Sequence, residues 1–376
     1  MHELSAHLLR WHAANNSYAL ATVIEVTGSA PRPVGATMAV NDAGATVGSI
    51  SAGCVEGAVS DLCQQVLKSG RPARETFGYS DSDAFAVGLT CGGQVAVFVH
   101  PVRPTQFATV EAAMRPGDAA ALVRDLATGV MQVVHSDRTV GAPFGAAAVR
   151  QARAMLELGA TGVRTVGDEG RETTIFVQSF APPPRMIIFG ATDFAAALCR
   201  VGRLLGYRVT VCDARPVFAD TARLPDANEV VLDWPHRYLR RTQLDARTVV
   251  CVLTHEPKFD IPALRTALRL PLAYVGALGS RRADAERRTQ LRASGLTDTE
   301  LALLHSPIGL DLGGRTPEET AVAIGAEIVA IRHGGSTQPL SRTDRAIHGA
   351  PEQAGSSGPE TKFGEFATPA CRQPLE

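Results

Sequence analysis

Three prolines in a row at Pro182, Pro183 and Pro184, preceded by Ala181, constrain this chain more than any other feature. Each ring fixes its backbone and removes a donor, so neither a helix nor a central strand runs through them. They favour a stiff, extended connector. On the C-terminal side, residues 186–189 form a short fully apolar run, the mark of a parallel strand buried on both faces. A helical stretch to Leu205 and a strand at residues 208–213 follow, and apolar runs recur at 248–253 and 272–275. Strands alternating with helix-length segments imply right-handed βαβ units and a Rossmann-like, doubly wound parallel sheet. The last helix, residues 316–331, begins with Thr316 as cap, Pro317 at the first helical position and Glu319 three residues on.

The N-terminal side reads differently. A short helix is expected in residues 1–16, then strands at 18–26, 36–40 and 45–51. Residues 53–68 place Val55, Val59, Leu62 and Val66 on one helical face. A strand at 95–99 and a helix near 147–158 complete a mixed α+β pattern. The expected fold class is therefore α/β, with an N-terminal mixed α+β domain (1–180), a Pro-rich linker (181–184) and a Rossmann-like C-terminal domain (185–333). Residues 334–376 carry few large apolar side chains and are expected to be disordered, with no chemistry attached to Cys371. The sequence shows no internal repeat.

Among 376 residues, 45% are hydrophobic and 20% charged, a globular composition, and the net charge of -1 gives no overall field for nucleic acid or an anionic membrane. No apolar run is long enough to span a bilayer, and the N-terminus lacks the apolar region of a secretory signal. Seven cysteines without a CxxC pair suggest free thiols in a reducing cytoplasm.

Six blocks, in order, carry a resemblance. They are Gly28-Ser29-Ala30-Pro31-Arg32-Pro33-Val34-Gly35-Ala36, Gly48-Ser49-Ile50-Ser51-Ala52-Gly53-Cys54-Val55-Glu56, Cys91-Gly92-Gly93, Leu253-Thr254-His255, Leu278-Gly279-Ser280-Arg281-Arg282, and His305-Ser306-Pro307-Ile308-Gly309-Leu310 with Arg315-Thr316-Pro317-Glu318-Glu319. Together they resemble the XdhC/CoxI family of xanthine dehydrogenase accessory factors, over residues 11–333. The resemblance implies a chaperone rather than a turnover enzyme. It would bind the molybdenum cofactor (molybdopterin) transiently and pass it to a xanthine-dehydrogenase-type molybdoenzyme, with a sulfur-donating enzyme as a further partner. Two positions depart from the family pattern: Ala52 stands where a glycine is usual, and Thr192-Asp193 replace a glycine and its neighbour in the Rossmann turn.

Cys54 opens a helix whose first N–H groups lack intrahelical partners, which favours a thiolate. A helix end contributes only ~0.3–1 kcal/mol, so a cation such as Arg32 or a soft metal has to supply the rest. A small buried core residue is the alternative. Cys91 lies in a loop before Gly92 and Gly93, which permit close ligand approach; thiolates at Cys91 and Cys54 match the softness of a dithiolene-bound molybdenum. A turn whose cysteine merely packs is the alternative there. Arg32, set between prolines, offers a fork of donors to a phosphate, or is solvated surface. Glu56 reads as a complement to the helix dipole. Cys63, Cys199, Cys212 and Cys251 fall on apolar faces and read as core.

In the second half, Gly190 opens a helix after a strand and Asp213 ends the next strand, where a ribose-binding acid belongs. Only the first glycine of the dinucleotide fingerprint is present, and Asp193 sets a carboxylate near the position of a pyrophosphate. His255 ends a buried strand beside Glu256, Lys258 and Asp260, while Arg281 and Arg282 follow another strand end and offer a phosphate contact or plain solvated charge. The expected cofactor-binding set is thus Arg32, Gly53, Cys54, Cys91, Gly92, Gly93, Gly190, Asp213, His255, Arg281 and Arg282, with the cofactor between the two domains and no catalytic residue. A homodimer is expected. The rival from another class is an NAD(P)-dependent oxidoreductase using His255.

Overall fold

The computed structural model describes residues 2–78, 93–168 and 170–343. A 3-10 turn at His2–Leu4 leads into α1 (Ser5–Ala13), then β1 (Tyr18–Thr27), β2 (Thr37–Asn41), β3 (Thr46–Gly48), α2 (Glu56–Ser69), β4 (Ala73–Gly78) and β5 (Gln94–Val102). After α3 (Phe107–Met114) come β6 (Ala120–Asp125), β7 (Met131–Val134), β8 (Thr139–Gly141), α4 (Ala146–Leu158), β9 (Gly162–Asp168) and β10 (Arg171–Phe180).

These elements make two antiparallel five-stranded sheets with the same strand order, β3-β2-β1-β5-β4 and β8-β7-β6-β10-β9. Each also inserts one helix between its third and fourth strands. The chain thus folds twice into one topology, which corrects the expectation of no internal repeat. A trace survives in the sequence: Thr46-Val47-Gly48 and Thr139-Val140-Gly141 are the third strands of the two units, and both glycines have positive φ, 85° and 104°. The rest is masked because strand cores accept any apolar residue that fills the volume.

Burial explains why β1 shows no polar alternation. Ala19, Ala21 and Val23 pack under α2, while Tyr18, Leu20 and Ile24 face the second sheet. The second sheet repeats this, with Ala121, Val123, Ile175 and Val177 under α4. The result is a four-layer helix–sheet–sheet–helix stack, with α1 and α3 contributing Leu8, Phe107 and Val110 to the layer between the sheets. The expected strand at 45–51 ends at Gly48, and the expected helix start at 53 moves to Glu56, because the intervening residues form a loop described below.

The remainder alternates as expected. Its elements are β11 (Arg185–Phe189), α5 (Asp193–Leu204), β12 (Arg208–Asp213), β13 (Glu229–Leu232), α6 (Pro235–Arg241), β14 (Val249–Val252), α7 (Pro257–Ala267), β15 (Tyr274–Ala277), α8 (Arg281–Ala293), α9 (Asp298–Ala302), β16 (Leu304–His305) and α10 (Pro317–His333). The six strands are all parallel, in the order β13-β12-β11-β14-β15-β16. This is the doubly wound Rossmann order, with its switch point between β11 and β14. Helix α10 starts as expected, Thr316 accepting from Glu319 N and Glu319 reaching back to Thr316 N. Gly334 closes it in the left-handed conformation, and a 3-10 turn at Leu340–Arg342 follows. The remainder of the expected disordered tail, residues 344–376, lies outside the described residues. No helix among the described residues is long and apolar enough to cross a membrane.

Among the described residues the two parts share no hydrophobic cluster. They touch where Arg247, just before β14, donates to Pro182 O at 2.9 Å and lies against Gly159. This junction lies at the amino edge of the parallel sheet. The carboxyl edge, which carries Gly190, Asp213 and His255, is on the far side, so the expected cleft with the cofactor between the domains is not what one chain forms at these residues.

Candidate functional site

The duplication isolates the unusual feature of the first unit. Strand pairing brings the end of β1, the start of β2, the ends of β3 and β4 and the start of β5 to one end of the first sheet. The three connections there are residues 28–36, 49–55 and 79–93; their counterparts in the second unit are the shorter 126–130, 142–145 and 169–170. The first unit therefore has longer connecting segments at one end than its twin, and they contain Arg32, Gly53, Cys54, Cys91, Gly92 and Gly93. Cys91 and Gly92 lie outside the described residues.

Glu56 organises this end. Its carboxylate accepts from Ser49 Oγ at 2.7 Å, from Ser51 Oγ, from Ser51 N at 2.9 Å and from Gly53 N at 2.8 Å, with Ile50 N and Val55 N at 3.3 Å. Burial alone would raise its pKa, but the bonds from Ser51, Ser49 and the backbone outweigh it and pull the carboxyl down to about 2. The N–H groups that the sequence reading offered to a Cys54 thiolate are thus occupied by a neighbouring carboxylate. The dipole role read for Glu56 is a minor part of what it does. The one legible signal was its place three residues after Gly53 and five after Ser51, which is loop-closing distance.

Within this loop Ala52 adopts φ 60°, in the left-handed region that favours glycine. Cys54 is half-buried against the α2 side of the sheet. Gly93 is pressed on the first loop: a Cβ there would stand 2.0 Å from Ser29 O. The close approach expected of this glycine is to backbone. Arg32 is exposed, has no carboxylate partner among the described residues, and lines a cleft of about 370 Å³ with Ser49, Gly35, Gln178 and Ser179. Ser49 connects that cleft to the Glu56 loop. No group of three or more His, Cys, Asp or Glu suited to a metal ion occurs among the described residues.

Behind the loops lies a polar seam that sequence reading missed. Arg124 is fully buried between the sheets; Nη1 donates to Thr22 Oγ1 at 2.6 Å and Nη2 donates to Gln178 Oε1. Gln178 Nε2 continues to Gly35 O at 2.7 Å, in the Arg32 loop. No carboxylate pairs with Arg124 among the described residues, its Nε has no partner, and burial lowers its pKa to about 9. His100 beside it is held neutral, its pKa lowered to about 3 by burial and then by the Arg124 charge.

The carboxyl edge of the parallel sheet is also polar, but closed. Asp213 accepts from Ala191 N at 2.8 Å and holds Arg215 through Nε at 2.9 Å and Nη2 at 2.7 Å. Arg215 reaches Glu256 at 2.9 Å as well, and its guanidinium covers Phe218. Both oxygens of the expected ribose acid are therefore in use, and the Asp213 pKa is lowered, the Arg215 hydrogen bonds outweighing burial. Gly190, at φ 102°, meets Thr254: a Cβ would lie 2.7 Å from Thr254 Cγ2. Thr192, not Asp193, caps α5 through Ala195 N.

His255 is exposed at φ 66° and its charge is felt by Asp260, but the cluster expected around it is divided. Glu256 pairs outward with Lys258 at 2.9 Å, while Asp260 turns inward to Thr254 Oγ1 and to Arg287 at 3.4 Å. Ser280 caps α8, leaving Arg281 exposed and Arg282 bound to Glu286 in solvent. Arg287, not singled out in the sequence, is the buried arginine here, bonded to Ser306 Oγ at 2.9 Å and Leu278 O at 2.8 Å.

A duplicated sheet-sandwich part with one elaborated end, joined to a six-stranded Rossmann part, defines a two-part α/β architecture. Comparison with known proteins gives it a family. The XdhC Rossmann domain profile matches residues 186–328, and the XdhC and CoxI family profile matches residues 11–78. The chain belongs to the XdhC/CoxI family. It is 27% identical over 326 residues to a probable xanthine dehydrogenase subunit from Bacillus subtilis, covering 83% of this chain and 92% of that one. It is 26% identical over 313 residues to the molybdenum cofactor insertion chaperone PaoD of Escherichia coli, covering 83% of each. A crystal structure described as a xanthine dehydrogenase from Bacillus halodurans superimposes with a TM-score of 0.61 at 25% identity, over 90% of this chain and 97% of that chain.

Proposed function

We propose that this protein is a maturation factor that holds the molybdenum cofactor at the loop end of its first sheet and delivers it to a xanthine-dehydrogenase-type molybdoenzyme. The names of its relatives from Bacillus subtilis and Escherichia coli support a maturation role. The observation that carries the location is the contrast between the twin units: the first has the longer connecting segments at this end, and the Glu56 carboxylate fixes one of them around Cys54. The cofactor is cargo, so the site has to hold and release it. In this reading Cys54 and Cys91 present sulfur to the metal, Gly53, Gly92 and Gly93 let backbone come close, and Arg32 takes the phosphate at its cleft. The Arg124–Gln178 seam positions the Arg32 loop from behind.

The protein works as a homodimer in the cytoplasm in this reading, with a sulfur-donating enzyme as a further partner. Gly190, His255, Arg281 and Arg282 then serve partner contacts at the carboxyl edge, where Asp213 holds Arg215 in place. The oxidoreductase alternative is disfavoured by Asp213, whose carboxylate is committed to Arg215 and Ala191. The test is activation of a cofactor-free xanthine-dehydrogenase-type enzyme by purified protein loaded anaerobically with the cofactor. Wild type is expected to activate it, and Cys54→Ser and Arg32→Gln to reduce the yield at least tenfold. Equal activation by all three would overturn the proposal.

A further inference from the structure

We propose that a cleft at the amino edge of the parallel sheet binds a phosphate-bearing small molecule of nucleotide size, separately from the cofactor site. The cleft has a volume of about 510 Å³ and is lined by Arg185, Arg208, Arg241, Glu229, Val231 and Tyr238, with Thr242 and Gln243 closing one side. Sites for small molecules are typically ~300–1,000 Å³ with a few convergent polar groups.

Register explains the charge. Arg185 and Arg208 are direct partners at the starts of the adjacent strands β11 and β12, and both line the cleft. Like charges set directly opposite one another destabilise a sheet. Neither is well neutralised. Arg185 donates to Thr242 Oγ1 at 2.7 Å, Gln243 O at 2.6 Å, Tyr238 OH at 2.7 Å and Thr210 Oγ1 at 3.5 Å, all uncharged acceptors. Its Nε is buried with no partner. Arg208 reaches Glu229 only at 3.8 Å, with both side chains largely exposed. Arg241 pairs with Asp233 at 2.9 Å. Three guanidiniums thus face two carboxylates, and one positive charge is left over in a concave site.

The same contacts preorganise it. Arg185 is held in place by four acceptors, whereas Arg208 and Arg241 are exposed, and each would exchange its carboxylate, Glu229 or Asp233, for a ligand's phosphate. Planar guanidinium forks match phosphate oxygens in pairs. Val231 and the Tyr238 ring add apolar wall for the organic portion. Arg208 N also donates to Pro184 O at 2.8 Å, so a bound ligand would lie beside the connector between the two parts.

The probe is adenosine 5′-monophosphate, titrated calorimetrically into the full chain at low salt, with inorganic phosphate and adenosine as competitors. Binding is expected in wild type, displaced by phosphate and not by adenosine. The exposed double variant Arg208→Gln/Arg241→Gln is expected to bind at least tenfold more weakly at an unchanged Tm. Arg200→Gln/Arg203→Gln, which removes the same two charges from exposed positions on α5, is expected to bind as wild type. The proposal is overturned by no binding at millimolar nucleotide, by a double variant that binds as wild type, or by adenosine competing as well as phosphate. Because these variants leave the first sheet untouched, the result stands apart from cofactor binding.

Discussion

Replacing Glu56 with glutamine tests whether one carboxylate builds the Cys54 loop. The glutamine keeps the shape and one acceptor oxygen but loses the charge and presents an NH₂ to donors. The carboxyl pKa of about 2, against an ordinary 4.5, corresponds at face value to roughly 3 kcal/mol. Solvent reaches the outer side of this carboxylate, and screening brings the expected loss to about 1–2 kcal/mol. That is a 5–30-fold change in local opening. The readout is hydrogen exchange of the peptide spanning residues 49–56, where Ser51 N and Gly53 N donate to Glu56. The variant should exchange 5–30 times faster at pH 7. Since the folded pKa is depressed, the stabilisation is complete above the ordinary carboxyl pKa and is lost as pH falls towards 2. The two proteins should therefore converge in acid. Identical exchange at pH 7, or a difference that persists at pH 2, would refute the role given to Glu56.

Other expectations follow from the same structure. Ala52→Gly removes a left-handed alanine costing ~1–2 kcal/mol at an entropic penalty of ~0.4–1 kcal/mol, so urea unfolding should show a gain of about 0.5–1 kcal/mol; a loss would contradict the loop geometry. His100, depressed to about 3, stays neutral in the fold, so wild type should lose about 1.4 kcal/mol per pH unit from this group between pH 6.5 and 3. In His100→Leu that part of the slope should vanish, and an unchanged urea midpoint profile would count against it. Gln178→Leu strips an acceptor from a buried guanidinium and should cost about 3–5 kcal/mol, whereas Arg124→Met removes the charge itself and should cost less. The reverse order in denaturant unfolding would mean that the seam is not what holds the arginine.

The parallel sheet was legible because buried strands and helices differ in period and the prolines marked its start. Its two unforeseen strands, β13 and β16, are an edge strand whose apolar run, Val230-Val231-Leu232, is short and flanked by Glu229 and Asp233, and a two-residue strand, Leu304–His305. The duplication was illegible because antiparallel pairing is a tertiary property and only the Thr-Val-Gly third strands preserve a common spelling. At the candidate site, Cys54, Gly53, Gly93 and Arg32 could be singled out by residue type. What Glu56 does could not, because its donors, the Ser49 and Ser51 hydroxyls and the N–H groups of Ile50, Ser51, Gly53 and Val55, converge on it only through a turn at Ala52. Arg124 was hidden for the same reason: it lies far in sequence from Thr22 and Gln178, and a lone arginine in a strand gives no sign of which face it occupies. Asp213 was correctly placed at a strand end, but its engagement by Arg215, two residues on, appears only once both side chains are fixed.

The most direct measurement of the central claim is equilibrium binding of anaerobically isolated molybdenum cofactor to the full chain, beside Cys54→Ser/Cys91→Ser and with a parallel NADH titration. The account predicts tight cofactor binding that the double variant loses at least tenfold, with no comparable NADH affinity. Cofactor binding that is absent or indifferent to both cysteines, alongside micromolar NADH binding, would contradict it.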